Sequence, residues 1–212
     1  MKKLEENFEV KDVVDISPSE NNSEHLEGTG AIVFDHINKV AYACISERCN
    51  EKLFRSHCKI LQYKPIAFHA FDTRGTPIYH TNVLMGIQTN TVVICAESIT
   101  DEAECKLVVG ELYRSGRDII TITQEQLGKF CGNILELHNS DGERFLMLSR
   151  TAYDGFTTEQ HLRLAKDKKL VPISIPLIEH AGGGSVRCMI AEIFLKPKVA
   201  TFSNRSHIIH KA

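Results

Sequence analysis

The amino-acid sequence predicts an α/β protein assembled from a repeated unit, and three observations carry that reading. Short runs of β-branched and other apolar residues alternate with helical stretches along the chain. Each long helical stretch follows a two-strand hairpin pattern and precedes one further strand. The pattern also recurs at nearly constant spacing, with Glu27, His80, Cys131 and Cys188 leading into successive units 53, 51 and 57 residues apart. A period of that length marks modules that stack or ring around an axis, because one such unit cannot bury a core alone.

In chain order, Met1-Lys2-Lys3-Leu4-Glu5-Glu6 is a charged, helix-prone opening, and Val10 to Ile16 alternates as a strand would. Ser17 to Ser23 is a polar loop. The first unit enters through Leu26-Glu27-Gly28-Thr29-Gly30. Its hairpin runs over 31–35 and 40–45 around His36-Ile37-Asn38-Lys39. Residues 50–61 place Leu53, Phe54, Cys58 and Leu61 at helical intervals, and 65–71 is the third strand. The second unit repeats this with His80-Thr81-Asn82, strands over 83–87 and 92–96, a helix over 101–115 stopped by Gly116, and a strand over 118–122. The third begins at Cys131-Gly132-Asn133, with strands over 134–137 and 144–149, a helix over 157–169 and a strand over 171–175. Thr157 with Gln160 has the spacing of a helix N-terminal capping box. In the fourth, Gly182-Gly183-Gly184 delivers Cys188 into Met189-Ile190-Ala191, an apolar run expected to be a buried strand or helix start. One domain is expected over 1–197, followed by a poorly ordered polar tail over 198–212.

Composition narrows the function classes. A hydrophobic share of 42% and a charged share of 25% are those of an ordinary soluble globular chain. A net charge of −2 gives no electrostatic case for nucleic acid or an anionic membrane. No apolar stretch approaches the roughly 20 residues that span a bilayer, and no signal-peptide core follows Met1. The seven cysteines are odd in number and none are spaced as CxxC, which disfavours a disulfide scaffold or a structural zinc site. A reducing cytoplasm is the expected compartment.

Successive units ringed on an axis bring their leading residues together, so Glu27, His80, Asn133 and Cys188 are expected to converge. Cys, His and Glu at one centre are the parts of a nucleophilic site. The thiolate attacks, an imidazole serves as acid and base, and the carboxylate orients it or holds a cation. The same types also fit a metal site, but compact ligand spacing is absent, so no metal or other cofactor is expected. Each residue has a plain structural alternative. Cys188 could be an inert core thiol, His80 a satisfied core histidine and Glu27 a solvated loop residue. Arg187 is either a surface residue or a partner for a substrate carboxylate. Asn133 either lines the pocket or caps a turn.

Four segments together carry a likeness to a known family. They are Leu26-Glu27-Gly28-Thr29-Gly30, Ile78-Tyr79-His80-Thr81-Asn82-Val83, Gly132-Asn133-Ile134-Leu135-Glu136-Leu137 and Gly183-Gly184-Ser185-Val186-Arg187-Cys188-Met189. In this order they resemble the guanidino-group-modifying superfamily of amidinotransferases, arginine deiminases and dimethylarginine dimethylaminohydrolases. The nearest likeness is to bacterial citrulline-utilisation hydrolases, over about residues 9–197. The resemblance implies the pentein fold, a five-bladed α/β propeller of which about four blades are counted here. It implies Cys188 as nucleophile, His80 as general acid and base and Glu27 as its partner or a substrate carboxylate. Asn82, Asn133 and Arg187 are then expected to bind substrate.

Two departures matter. An upstream module with an Arg-Pro strand and an asparagine-rich loop has no counterpart here, so the chain reads as N-terminally truncated. Strand edges left open by a missing blade would favour self-association. Arginine deiminases also place an aspartate two residues after the histidine, where this chain has Asn82. A neutral amide offers both donor and acceptor and suits an uncharged ureido group. The expected function is therefore hydrolysis of a C–N bond in a guanidino or ureido small molecule. The alternative is a catalytically silent remnant or binding protein on the same fold.

Overall fold

The computed structural model describes residues 2–15, 17–18 and 24–198. They group into two units, one drawn from 1–22 and 191–212 and the other spanning 23–190. In the first, helix α1 (Lys2–Asn7) is followed by an antiparallel bridge between Phe8 and Pro197, and the Glu9 N–H donates to the Lys196 carbonyl at 2.8 Å. The strand expected from Val10 is absent over 10–15, and Val13 and Val14 are exposed. Alternation alone makes no strand without a partner to complete its ladder. Ile16 and 199–212, which include all but the first residue of the expected tail, lie outside the described residues.

The larger unit contains three copies of one module. The first has a single helical turn, α2 (Gly28–Ala31), then β1 (Ile32–Asp35), β2 (Val40–Cys44), α3 (Glu51–Leu61) and β3 (Lys64–Phe68). The second has α4 (Thr81–Leu84), β4 (Met85–Ile87), β5 (Thr91–Ile94), α5 (Glu102–Arg114) and β6 (Asp118–Thr121). The third has α6 (Gln124–Gly128), β7 (Leu135–His138), β8 (Arg144–Ser149), α7 (Arg150–Gly155), α8 (Thr158–Leu164) and β9 (Lys169–Ile173). Each forms a three-stranded sheet in sequence order. The hairpin is antiparallel, and a helical crossover returns the third strand parallel to the second, with Ile32 opposite Ala43 and Val40 opposite Lys64 in the first sheet.

Alternation decides which side chains meet. In β2 every residue is buried. Ala41 and Ala43 pack with Phe54 and Cys58 of α3, while Val40, Tyr42 and Cys44 join the main core shared with the other modules. Asn50 caps α3 by accepting the Leu53 N–H, and Gln62 ends it in the left-handed region.

Three complete modules are present among the described residues, not four. The fourth is represented by its lead-in, α9 (Pro176–Gly182) and a 3-10 turn at Val186–Met189. The run expected to be buried, Met189-Ile190-Ala191, holds no strand, and Met189 and Ala191 are exposed. Without a hairpin among the described residues to follow it, the run has no sheet face to cover it.

Modules one, two and three meet at their lead-ins. Thr81 Oγ1 accepts the Cys44 N–H at 2.7 Å and donates to the Ala31 carbonyl at 2.5 Å. Gly132 passes so close to α4 that a Cβ there would lie 2.3 Å from the Val83 carbonyl oxygen. A buried ion pair also joins the first two modules, with Arg117 donating to both Asp35 carboxylate oxygens at 2.5 and 3.0 Å. Lys168, 51 residues on, links modules three and two by donating to Thr91 Oγ1 at 3.3 Å, while its ion pair with Glu136 lies within module three.

Candidate active site

Cys188 stands on the 3-10 turn after the glycine run. Gly183 ends α9 at φ 67°, a conformation that glycine adopts without strain. Gly184 then leaves room for the thiol, since a Cβ there would sit 3.2 Å from Cys188 Sγ. Two tethers hold the turn. Tyr79 Oη donates to the Gly183 carbonyl at 2.6 Å. Buried Glu179 on α9 accepts from Ser185 Oγ at 2.7 Å and from Thr151 Oγ1 at 2.6 Å.

All seven cysteines are free, and Cys188 is the exposed one. Burial pushes the Cys44, Cys49 and Cys131 thiols up to about 12 and Cys58 to about 11, which keeps them protonated at neutral pH. Cys131, which the repeat spacing had placed at a lead-in, is buried with its thiol directed to the Ala152 carbonyl at 3.4 Å. The residue that reaches the site from module three is Asn133.

Two polar groups form there. In the first, His80 precedes α4 and its Nε2 lies 2.8 Å from Glu27 Oε2. Arg48 donates to the same carboxylate at 3.2 and 3.4 Å. Partial burial raises the Glu27 pKa, but the hydrogen bonds from His80 and Arg48 outweigh it and hold the carboxyl below its ordinary value. Gly30 lies against the imidazole so closely that a Cβ would be 2.7 Å from Nδ1 and Cε1.

In the second group, Asn133 Nδ2 donates to Cys188 Sγ at 3.1 Å and to the Asn82 carbonyl at 2.9 Å, and its Oδ1 accepts the Cys188 N–H at 3.4 Å. Cys188 Sγ faces Asn82 Oδ1 at 3.6 Å. Both asparagines are buried, and Asn82 Nδ2 has no hydrogen-bond partner among the described residues. Arg187 donates to the Ile190 carbonyl at 2.8 Å.

His80 and Asn82 share one lead-in and so join the two groups. Tyr79 makes a second link, with its ring 4.8 Å from the His80 ring, Arg48 over its face at 5.7 Å and its hydroxyl on the glycine run. Tyr79, Arg48 and Glu179 were not singled out in the sequence. Their roles rest on partners up to 104 residues away, which no local spacing reveals. Among the described residues no group of three His, Cys, Asp or Glu side chains is placed to hold a metal ion. No described helix is long and apolar enough to cross a membrane.

The family model described as N,N dimethylarginine dimethylhydrolase, eukaryotic, matches residues 1–195. The chain belongs to this family. Membership in the N,N dimethylarginine dimethylhydrolase family bears out the resemblance to the guanidino-group-modifying superfamily. No curated protein matches the chain. Among solved structures, AgrE with L-arginine superposes with a TM-score of 0.64 at 12% identity, covering 82% of this chain and 24% of that one. ArgZ, an arginine dihydrolase from the ornithine-ammonia cycle in cyanobacteria, gives 0.61 at 14% identity, with 77% and 23% covered. Its N-terminal domain bound to substrate gives 0.59 at 15% identity, with 76% and 54% covered. These likenesses establish the fold, a mixed α/β arrangement of small sheets like that of its pentein neighbours. The chain spans about a quarter of the full-length relatives and about half of the ArgZ domain.

Proposed function

We propose that this chain hydrolyses a C–N bond in a guanidino or ureido compound through a covalent cysteinyl intermediate. The observation that carries the reading is an exposed thiol held by an amide donor, beside a lead-in that also bears a histidine paired with a carboxylate. In the proposed reaction the Cys188 thiolate attacks the central carbon of the substrate. The C–N bond then breaks, and the amine leaves with a proton from the His80 imidazolium. His80, now neutral, takes a proton from water, whose oxygen attacks the same carbon, and the thiolate is expelled. Glu27 orients the imidazole through its contact with Nε2.

The family description supports methylated arginine as substrate, and the fold's similarity to an arginine dihydrolase supports arginine. The uncharged Asn82 beside the sulfur favours a neutral ureido group, as in citrulline. A second reading, a silent binding protein on the same fold, is favoured by the exposure of the Glu27 side chain (41%), since water weakens its hold on His80. Purified protein incubated with dimethylarginine, arginine and citrulline separates the two. Release of dimethylamine, ammonia or ornithine supports hydrolysis, and Cys188→Ala should abolish it. Turnover by Cys188→Ala near the wild-type rate would rule out the covalent route.

A further inference from the structure

We infer that Asn133 is a positioning residue for the nucleophile and not a substrate ligand, binding the Cys188 sulfur through Nδ2 and the Cys188 backbone N–H through Oδ1. The contacts define the amide's orientation. Exchanging its oxygen and nitrogen would set N–H against N–H at Cys188, and oxygen against both the sulfur and the Asn82 carbonyl. In the orientation observed, both Nδ2 hydrogens are committed, one to the Asn82 carbonyl and one to sulfur. The side chain is fully buried. No donor is left for a substrate, whereas Asn82 retains a free Nδ2.

The chemistry follows from what sulfur accepts. A thiol sulfur is a weak acceptor, and a thiolate accepts a much stronger, charge-assisted hydrogen bond. An N–H fixed at 3.1 Å therefore aims the sulfur and forms its stronger bond once the sulfur is ionised. The charged and titratable groups on the surrounding elements include Tyr79 and His80 before α4, Glu27 and Arg48 of module one, Arg144 on β8, Glu179 and His180 on α9 and Arg187 on the turn itself. Removing the Asn133 amide leaves all of them in place.

The catalytic meaning rests on the hydrolase reading, but the test does not use turnover. The rate of Cys188 alkylation by iodoacetamide is followed against pH in the full chain, with Cys188→Ser as blank. In Asn133→Ala the pH of half-maximal alkylation should rise by about one unit, which is about tenfold less thiolate below the midpoint. Asn133→Asp keeps the acceptor for the Cys188 N–H but sets a carboxylate against the sulfur, and should raise it further. Unchanged profiles in both variants would overturn the inference. Should either variant fail to fold, the unmodified protein decides. The Asn133 side-chain amide signals should move as Cys188 titrates, and a static signal overturns the assignment. A shifted profile without turnover removes the hydrolase reading alone, and turnover with an unshifted profile removes the positioning role alone.

Discussion

His80 is held from two sides, by Glu27 at Nε2 and by the bare backbone of Gly30 against the other edge of its ring. Gly30→Ala sets a methyl group within 2.7 Å of Nδ1, and the ring must turn away from the Glu27 carboxylate. A displacement of that size should lower kcat on the order of 10²-fold while leaving thermal stability nearly unchanged. Equal losses in kcat and in stability would refute this account. Glu27→Gln keeps the shape but removes the carboxylate that orients the imidazole in the proposed reaction, so kcat should fall with little change in KM. The repeat spacing singled out Glu27, His80 and Cys188 in the sequence, and the structure sets Glu27 against His80. The same spacing marked Cys131 at the third lead-in, where Asn133, also expected to converge, is the residue that reaches the Cys188 sulfur. Spacing locates a lead-in but not which of its side chains turns inward.

Helix α3 is the clearest case of an element stabilised by one face. Phe54 and Cys58 lie one turn apart and are fully buried against Ala41 and Ala43. Phe54→Ala should destabilise the protein by about 3–5 kcal/mol, because little around a fully buried ring can collapse into the space it leaves. Urea titration checks this, and a loss below about 1 kcal/mol would mean that α3 is not anchored by that residue. The long helices and the nine strands of the sheets could be read from periodicity. Of the short helices, α1 showed in its charged composition and α8 in its capping box, whereas α2, α4, α6, α7 and α9, of four to seven residues, showed no helical period. The strand expected near Val10 failed for the opposite reason, with a pattern present but no ladder partner among the described residues.

At the scale of the whole larger unit, modules are joined by buried charge as well as by apolar packing. Burial raises the Asp35 pKa, but hydrogen bonds from Arg117 and Asn38, with the charge of Arg117, outweigh it and leave the carboxyl below its ordinary value. The unfolded chain then binds the proton more tightly than the folded one. The pair's contribution is present above the unfolded value of about 3.9 and is lost as pH falls through the lower folded value. Asp35→Asn should flatten the acid limb of the stability curve, and Asp35→Ala, which strands a buried guanidinium, should cost about 3–5 kcal/mol at neutral pH. An unchanged acid limb in Asp35→Asn would remove the pair from that role. The ring of lead-ins has a further consequence, in time rather than in space. Its contacts join residues 37 to 106 positions apart, so each closes a long loop, whereas a hairpin or a helix forms within microseconds. On refolding, secondary structure should return first and Cys188 should meet Asn133 last. A protein native by circular dichroism would for an interval carry an unassembled thiol.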